Sequence, residues 1–371
     1  MFKNVLGICD LHNSPSLGRL TDTRPLGAVT FLGRYGLMDF TLSNFTNSGI
    51  DDLGILVKDH IRSIIQHVGF GHAWNDNTKL GGLSLLYDEP HANNSGYNHD
   101  INNLIENSWF LKKSSADVVV IAPAHIIYRL DFRPLIEEHV KNKNKITLVY
   151  HKLIHAKSTF VGEDVAHIDS KGLLEDLTLN QGTDDNVNIS MQTYIIDKEV
   201  LKGIIQIGSK TSSFYSLRDT LKLLCKDMPI HTYEHKGYIR RYDSLTHYLK
   251  QSLELLNKDT WNELFDENWP LYTKTYDTPP AKYGVLSNVS KSFIANGSQI
   301  NGTVKNSILG RDVIVSEGAV VENSVIFSGS YISEGTHLNN VVVDKEARIL
   351  HAKELEGTQE KPLYIKRGDI V

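Results

Sequence analysis

The spacing of apolar residues divides the chain into two regimes. Up to about residue 256, short β-branched or aliphatic runs alternate with stretches whose apolar positions recur every three or four residues. Val5–Ile8, Leu53–Val57, Val118–Ile121 and Ile146–Tyr150 are runs of the first kind and predict strands. Leu37, Met38, Leu42 and Phe45 predict a helix, closed by Asn47-Ser48-Gly49 with glycine as a left-handed cap. Ile61, Ile64, Ile65 and Val68 predict a second, Ile101, Leu104, Ile105 and Trp109 a third, and Phe132, Leu135, Ile136 and Val140 a fourth. Such alternation predicts a mostly parallel sheet built from right-handed crossovers. Residues 160–196 predict a hairpin around Ser170-Lys171-Gly172 and then a strand, Ile189 to Ile196. Helical spacing returns at Leu201–Ile205, Leu217–Cys225 and Leu245–Leu256, with a strand at Ile230–Tyr233.

Val118–Ile121 is apolar throughout, as a central parallel strand requires when both faces are covered. Ligands of such sheets bind beyond the carboxyl ends of the strands. At this tip the chain places Ala122, Pro123 and Ala124, where a catalytic sheet would be expected to carry a polar handle. Residues 69–99, rich in Gly, Asn and His, read as a long loop over the sheet edge. His72, His91 and His99 fall there without metal-ligand spacing and read as solvated surface residues.

Beyond a linker rich in Trp and Pro (259–287), the apolar period becomes six. Leu309, Val315, Val321 and Phe327 are spaced so, as are Ile326, Ile332 and Leu338, with turn-formers such as Asn296-Gly297-Ser298 between. A hexapeptide period predicts a parallel β-helix. The domains are therefore expected at 1–258, an α/β domain with a Rossmann-like sheet, and at 288–371, a left-handed parallel β-helix.

Composition narrows the functional classes. A formal charge of −5 over 371 residues argues against a nucleic-acid or membrane-surface binder. Two distant cysteines, Cys9 and Cys225, fit a reduced compartment. No run is long enough to span a bilayer, and the amino terminus lacks signal-peptide character, so a soluble cytoplasmic protein is expected.

The stretch Tyr35-Gly-Leu-Met-Asp-Phe-Thr-Leu-Ser-Asn-Phe-Thr-Asn-Ser-Gly-Ile50 resembles the pattern Y-R-L-I-D-F-x-L-S-N-C-x-N-S-G-I of glucose-1-phosphate adenylyltransferase (ADP-glucose pyrophosphorylase). Gln66-His67 with Gly69, Gly71 and Trp74 is similar to the next family block, and Asp131-Phe132, Ser190-Met191, Tyr194-Ile195 and Gly237-Tyr238 fall where further motifs are expected. The resemblance spans essentially the whole chain. It implies transfer of a nucleotidyl group to glucose 1-phosphate, which is positioning plus charge neutralisation by Mg²⁺, Lys and Arg.

The residues that chemistry needs are replaced. The family's G-G-x-G-T-R-L phosphate turn reads Gly7-Ile-Cys-Asp-Leu-His-Asn-Ser-Pro-Ser-Leu-Gly-Arg19-Leu20, without the glycine cluster and with Asp10 adding negative charge. Leu26 stands for a lysine and Gly36 for an arginine. Ala124 stands for the first metal-binding aspartate, Arg241 for the second, and Ile239 for the sugar-facing tryptophan. The family's E-K-P is not recognisable in Leu174-Glu-Asp-Leu-Thr-Leu179. Ser190 and Tyr194 remain as a residual sugar-phosphate pocket, with Gln192 replacing a glycine between them. Arg24 aligns with a position tied to anionic activators, and it reads either as an effector-anion residue or as part of a solvated basic loop with Arg19 and Arg34.

These losses imply a non-catalytic, regulatory-type subunit with no metal of its own, Mg²⁺ being expected only in a catalytic partner. The expected partner is an active glucose-1-phosphate adenylyltransferase subunit in a heterotetramer serving glycogen synthesis, or a homo-oligomer when alone. The alternative is a weakly active or altered nucleotidyltransferase drawing a metal from Asp39, Asp131 or Asp243. An acyltransferase reading rests on the β-helix alone, with His337 and His351 as its local candidates.

Overall fold

The computed structural model describes residues 4–75, 81–87, 99–211 and 215–371. They form two compact units that are not contiguous in sequence: residues 1–14 with 40–239, and residues 15–39 with 240–371.

The first unit is built on a nine-stranded sheet. Its strands are β1 (Val5–Asp10), β2 (Asp52–Val57), β3 (Gly82–Tyr87), β4 (Val118–Pro123), β5 (Ile146–Ile154), β6 (Asp164–Ile168), β7 (Leu174–Leu179), β8 (Asn186–Asp197) and β9 (His231–His235). The order is β7-β6-β8-β4-β1-β2-β3, with β5 pairing to β8 and β9. β1 pairs in parallel with β2 and β4, and β2 with β3. Only β8, antiparallel to β4, β5 and β6, and β7, antiparallel to β6, break the rule. β4 is buried from end to end, which is why its sequence shows no alternation. Leu6, Ile8, Val119, Ile121, Leu148 and Ile196 form the core beneath helices that supply Ile101, Leu104, Leu201 and Leu221.

Three expectations are corrected. The stretch read as a 69–99 loop contains β3, an edge strand whose Leu83, Leu85 and Leu86 were obscured by flanking Gly, Asn and His; His91 lies outside the described residues. The single helix read from Ile101 to Trp109 is two, Asp100–Glu106 and Ser108–Lys113. They part at Asn107, whose side-chain amide donates to Tyr87 O and to Asn103 O and Oδ1. Within the linker, Lys258–Leu264 is helical, capped by Asn257.

In the second unit the carboxyl-terminal part winds as a left-handed parallel β-helix with three five-stranded parallel sheets. Ile300, Val315, Ile332 and Ile349 stack on one face, Val304, Val321 and Leu338 on another, and Leu309, Ile326 and Val343 on the third. All are buried inside the coil. Most coils run one residue short of three hexapeptides, as from Val304 to Val321 and on to Leu338. This explains why the six-residue period slips along the sequence. Asn306, Asn323 and Asn340 turn one corner at φ +44°, +48° and +53°, a conformation asparagine tolerates.

Residues 15–39 pack within this unit. Tyr248 donates its hydroxyl to Thr30 O. Gly33, at φ +75°, passes so close that a Cβ would sit 2.6 Å from Leu309 O. Among the described residues no helix is long and apolar enough to cross a membrane.

One group makes the first unit acid-sensitive. His235, at the end of β9, lies against the rings of Tyr128 and His151 at 5.8 and 5.9 Å. Burial, with smaller contributions from His151 and Arg129, lowers its pKa from 6.5 to about 4. Between those pH values the unfolded chain binds a proton that the native chain does not, so stability rises with pH across the window. The loss from pH 6.5 down to about 4 is on the order of 3 kcal/mol. His235→Phe keeps the ring packing and is expected to flatten this slope in denaturant titrations; an unchanged slope assigns the effect elsewhere.

Candidate functional site

The crevice indicated by the sequence lies at the carboxyl end of the sheet. In the first unit its floor is made by the tips of β1 and β4, where Asp10 pairs with Pro123 and Ala124 N donates to Asp10 O at 3.2 Å. Asp10 closes the turn that follows. Its carboxylate accepts His12 N at 2.8 Å and Asn13 Nδ2 at 3.1 Å, and His12 Nδ1 lies 3.3 Å away. A phosphate-binding turn offers backbone N–H groups to an anion. Here the chain's own carboxylate has taken one of them.

The next layer comes from β4, β6 and β8. β8 carries a bulge between Ser190 and Thr193, which puts Gln192 at φ +49°, a region that costs a side-chain-bearing residue about 1 kcal/mol or more. Gln192 Nε2 donates to Glu163 Oε2 at 2.5 Å, and Ser190 Oγ accepts Gln192 N at 3.2 Å. Glu163 Oε1 lies 3.5 Å from His125 Nε2. His125 and Ser190 are fully buried, and Glu163 and Gln192 nearly so. Beside them Asp164 is held by the Arg218 guanidinium in a two-pronged pair. Tyr194 belongs to the hydrophobic core. Its hydroxyl has no hydrogen-bond partner among the described residues, and burial, reinforced by the Asp164 and Asp100 charges, raises its pKa far above the usual phenol value. Ser190 and Tyr194 thus lie within packed protein.

The other candidate positions fall as follows. Ile239 is buried in the first unit. In the second, Leu26 is buried in a short 3₁₀ turn and Gly36 N donates to the Asp39 carboxylate at 2.8 Å. Arg241 pairs with Asp243 Oδ2 at 2.8 Å, and Asp243 also receives His247. Asp131, the remaining alternative ligand, caps the Phe132–Lys141 helix and binds Arg133. Ala124 and Arg241 cannot coordinate Mg²⁺, which takes oxygen ligands. Among the described residues no group of three or more His, Cys, Asp or Glu is placed to hold a metal. The residues present do not fit the ion.

Arg24 is not part of a solvated loop. It is 3% exposed, pairs with Asp344 Oδ2 at 2.7 Å and lies over the Phe327 ring. Asp344 also accepts Tyr364 OH at 2.7 Å. Arg24 Nη1 has no hydrogen-bond partner among the described residues. Nearby, burial and then the Arg24 charge lower the Lys345 pKa to about 8. Gln192 was visible in the sequence as a departure from a family motif, where it replaces a glycine. Glu163, Asp164 and Arg218 gave no such signal, because their partners are distant along the chain.

Removing one member of a buried ion pair strands the other charge, at a cost of roughly 3–5 kcal/mol. Arg24→Met is expected to lose about that much, while the Arg24→Met/Asp344→Leu pair recovers most of it in a double-mutant cycle. The single variant should also raise the Lys345 pKa. Additive losses with an unmoved Lys345 would contradict this account.

Comparison with known proteins completes the description. Residues 17–261 match the family "Nucleotidyl transferase", and residues 279–360 match "GlmU-like, C-terminal hexapeptide". The chain is 33% identical to the glycogen biosynthesis protein GlgD of Bacillus subtilis, over 99% of its own length and 97% of that protein's. It is 32% identical to GlgD of Geobacillus stearothermophilus over 100% and 98%. Glucose-1-phosphate adenylyltransferase of Lachnospira eligens is 28% identical over 81% and 71%.

Proposed function

We propose, for a chain that belongs to the nucleotidyl transferase family alongside the GlgD glycogen biosynthesis proteins and the glucose-1-phosphate adenylyltransferases, that it is the non-catalytic regulatory subunit of an ADP-glucose-forming assembly. It pairs with a catalytic glucose-1-phosphate adenylyltransferase chain, as a heterotetramer, and sets that partner's rate or effector response.

The observation that carries the reading is the Asp10 and Glu163 network. Nucleotidyl transfer gathers several phosphate oxygens and needs cations and open N–H groups to receive them. In this chain Leu26 and Gly36 stand at the cation positions, and the carboxylates of Asp10 and Glu163 are already bonded to His12, Asn13 and Gln192. A second phosphate-sized anion beside Asp10 would meet like charge at short range, worth about 4 kcal/mol of repulsion for unit charges 4 Å apart at an effective dielectric of 20. The positions aligned with the metal-binding aspartates hold Ala124 and Arg241, neither of which offers a side-chain oxygen to the Mg²⁺ that offsets such repulsion, so on this reading Mg²⁺ belongs to the partner subunit. Arg24, with one buried N–H group unpartnered, is the residue through which an anionic effector would act.

The test is reconstitution. Incubated with ATP, glucose 1-phosphate and Mg²⁺, the chain alone is expected to release no pyrophosphate. Mixed with its catalytic partner, it is expected to co-elute as one species and to change the partner's apparent affinity for substrate or effector. Turnover by the chain alone that Glu163→Ala abolishes would overturn the proposal. So would the absence of both co-elution and any kinetic change.

A further inference from the structure

We infer that the first unit carries a second, uncharged ligand site: a groove of about 550 Å³ along β6, β7 and the start of β8 that takes a neutral sugar chain. Its lining shares no residue with the Asp10 and Glu163 network.

The chemistry of the lining selects the ligand. Among the described residues no lysine or arginine lines the groove, whereas Glu175 and Asp184 do, so a phosphorylated or carboxylated ligand would meet like charge. Gln181, Asn186 and Asn188 present side-chain amides that form no hydrogen bond within the protein among the described residues. A side-chain amide donates and accepts at once, as a sugar hydroxyl does. Unspent amides are therefore matched to a polyhydroxylated ligand better than to an ion. Val165, Ile168 and Leu179 supply aliphatic surface between them, against which the C–H faces of a pyranose pack. Leu179 is 51% exposed, a cost in water that such packing relieves. The volume lies in the range of small-molecule pockets.

The groove is preformed. Asn180 is buried at the end of β7, and its amide donates to Ala156 O, Thr159 O and Phe160 O at 3.0, 3.2 and 3.1 Å while its carbonyl accepts Gly182 N. This ties the 155–162 turn to the 180–182 turn. Across the strands His167 Nε2 and Thr178 Oγ1 meet at 2.7 Å. A site held open before binding spends little affinity on ordering.

The inference rests on the proposed function only in choosing an α-1,4-linked glucan as the first probe. Calorimetry and saturation-transfer NMR on the full chain alone would compare maltotetraose, a β-1,4-linked tetrasaccharide and glucose 1-phosphate. Maltotetraose is expected to bind and glucose 1-phosphate not to. Asn188→Leu, which keeps the side-chain shape and removes its amide, is expected to weaken maltotetraose binding by about tenfold, the worth of one lost hydrogen bond. Gln181→Ala, at an exposed position, gives a second variant with an unchanged unfolding midpoint. Selective binding of the β-linked chain would keep the neutral-sugar site but replace the linkage. No binding of either tetrasaccharide, preference for the phosphorylated sugar, or binding by both variants as tight as that of the unmutated chain would overturn the inference. These outcomes do not depend on any partner subunit, so failure here and failure of reconstitution are separable.

Discussion

A carboxylate taken out of water must be met by donors or by opposite charge, or its burial costs several kcal/mol. Asp10 is 7% exposed at the tip of β1, and that constraint shapes the turn around it. His12 N–H, the Asn13 amide and the His12 ring all bend back onto it. The turn that would be open toward a ligand therefore closes on the chain. His12 is fixed in turn by Asn103, which also holds Val57 O at the tip of β2. One internal anion thus organises neighbouring strand ends of the sheet.

The same constraint explains the neighbouring layer. Glu163 is buried and bonded to Gln192, and Asp164 is buried and bonded to Arg218. Gln192 adopts a backbone conformation that glycine would take without cost, so its side-chain bond to Glu163 must offset that strain. A charge-assisted hydrogen bond of about 1.5–3 kcal/mol is large enough to do so. In the second unit Arg24 and Asp344 form the corresponding pair between residues 320 positions apart, with Tyr364 completing the acceptor.

How much of this could be read beforehand depends on the range of the interaction. Hydrophobic period is local, so β4, the Met38–Asn47 helix and the hexapeptide coil were legible from runs of a few residues. The edge strand β3 was not, because an edge strand has a weaker apolar pattern and its neighbours are turn-formers. The grouping of residues 15–39 with the carboxyl-terminal coil was also invisible, since Arg24, Thr30 and Gly33 find their partners hundreds of positions away. At the candidate site, the replacements at Ala124 and Arg241 could be read against a family pattern. What fills the space could not, because Glu163, Gln192 and His125 come together only through a bulge and an antiparallel pairing.

Active sites ordinarily hold charges unpaired, waiting for substrate, and pay for it in stability. The sheet tip here departs from that state, since its carboxylates are answered from within. Two groups there keep some frustration: among the described residues neither nitrogen of His125 has a hydrogen-bond partner, and neither does Tyr194 OH. Both sit in packed protein where a solute would first have to displace Glu163 or the core. Among the described residues, the amides of Gln181, Asn186 and Asn188 line a groove where a ligand could reach them. Val118–Pro123 is buried from end to end at the centre of the sheet, and its place in this chain is that of a packing element on which the neighbouring strands are ordered.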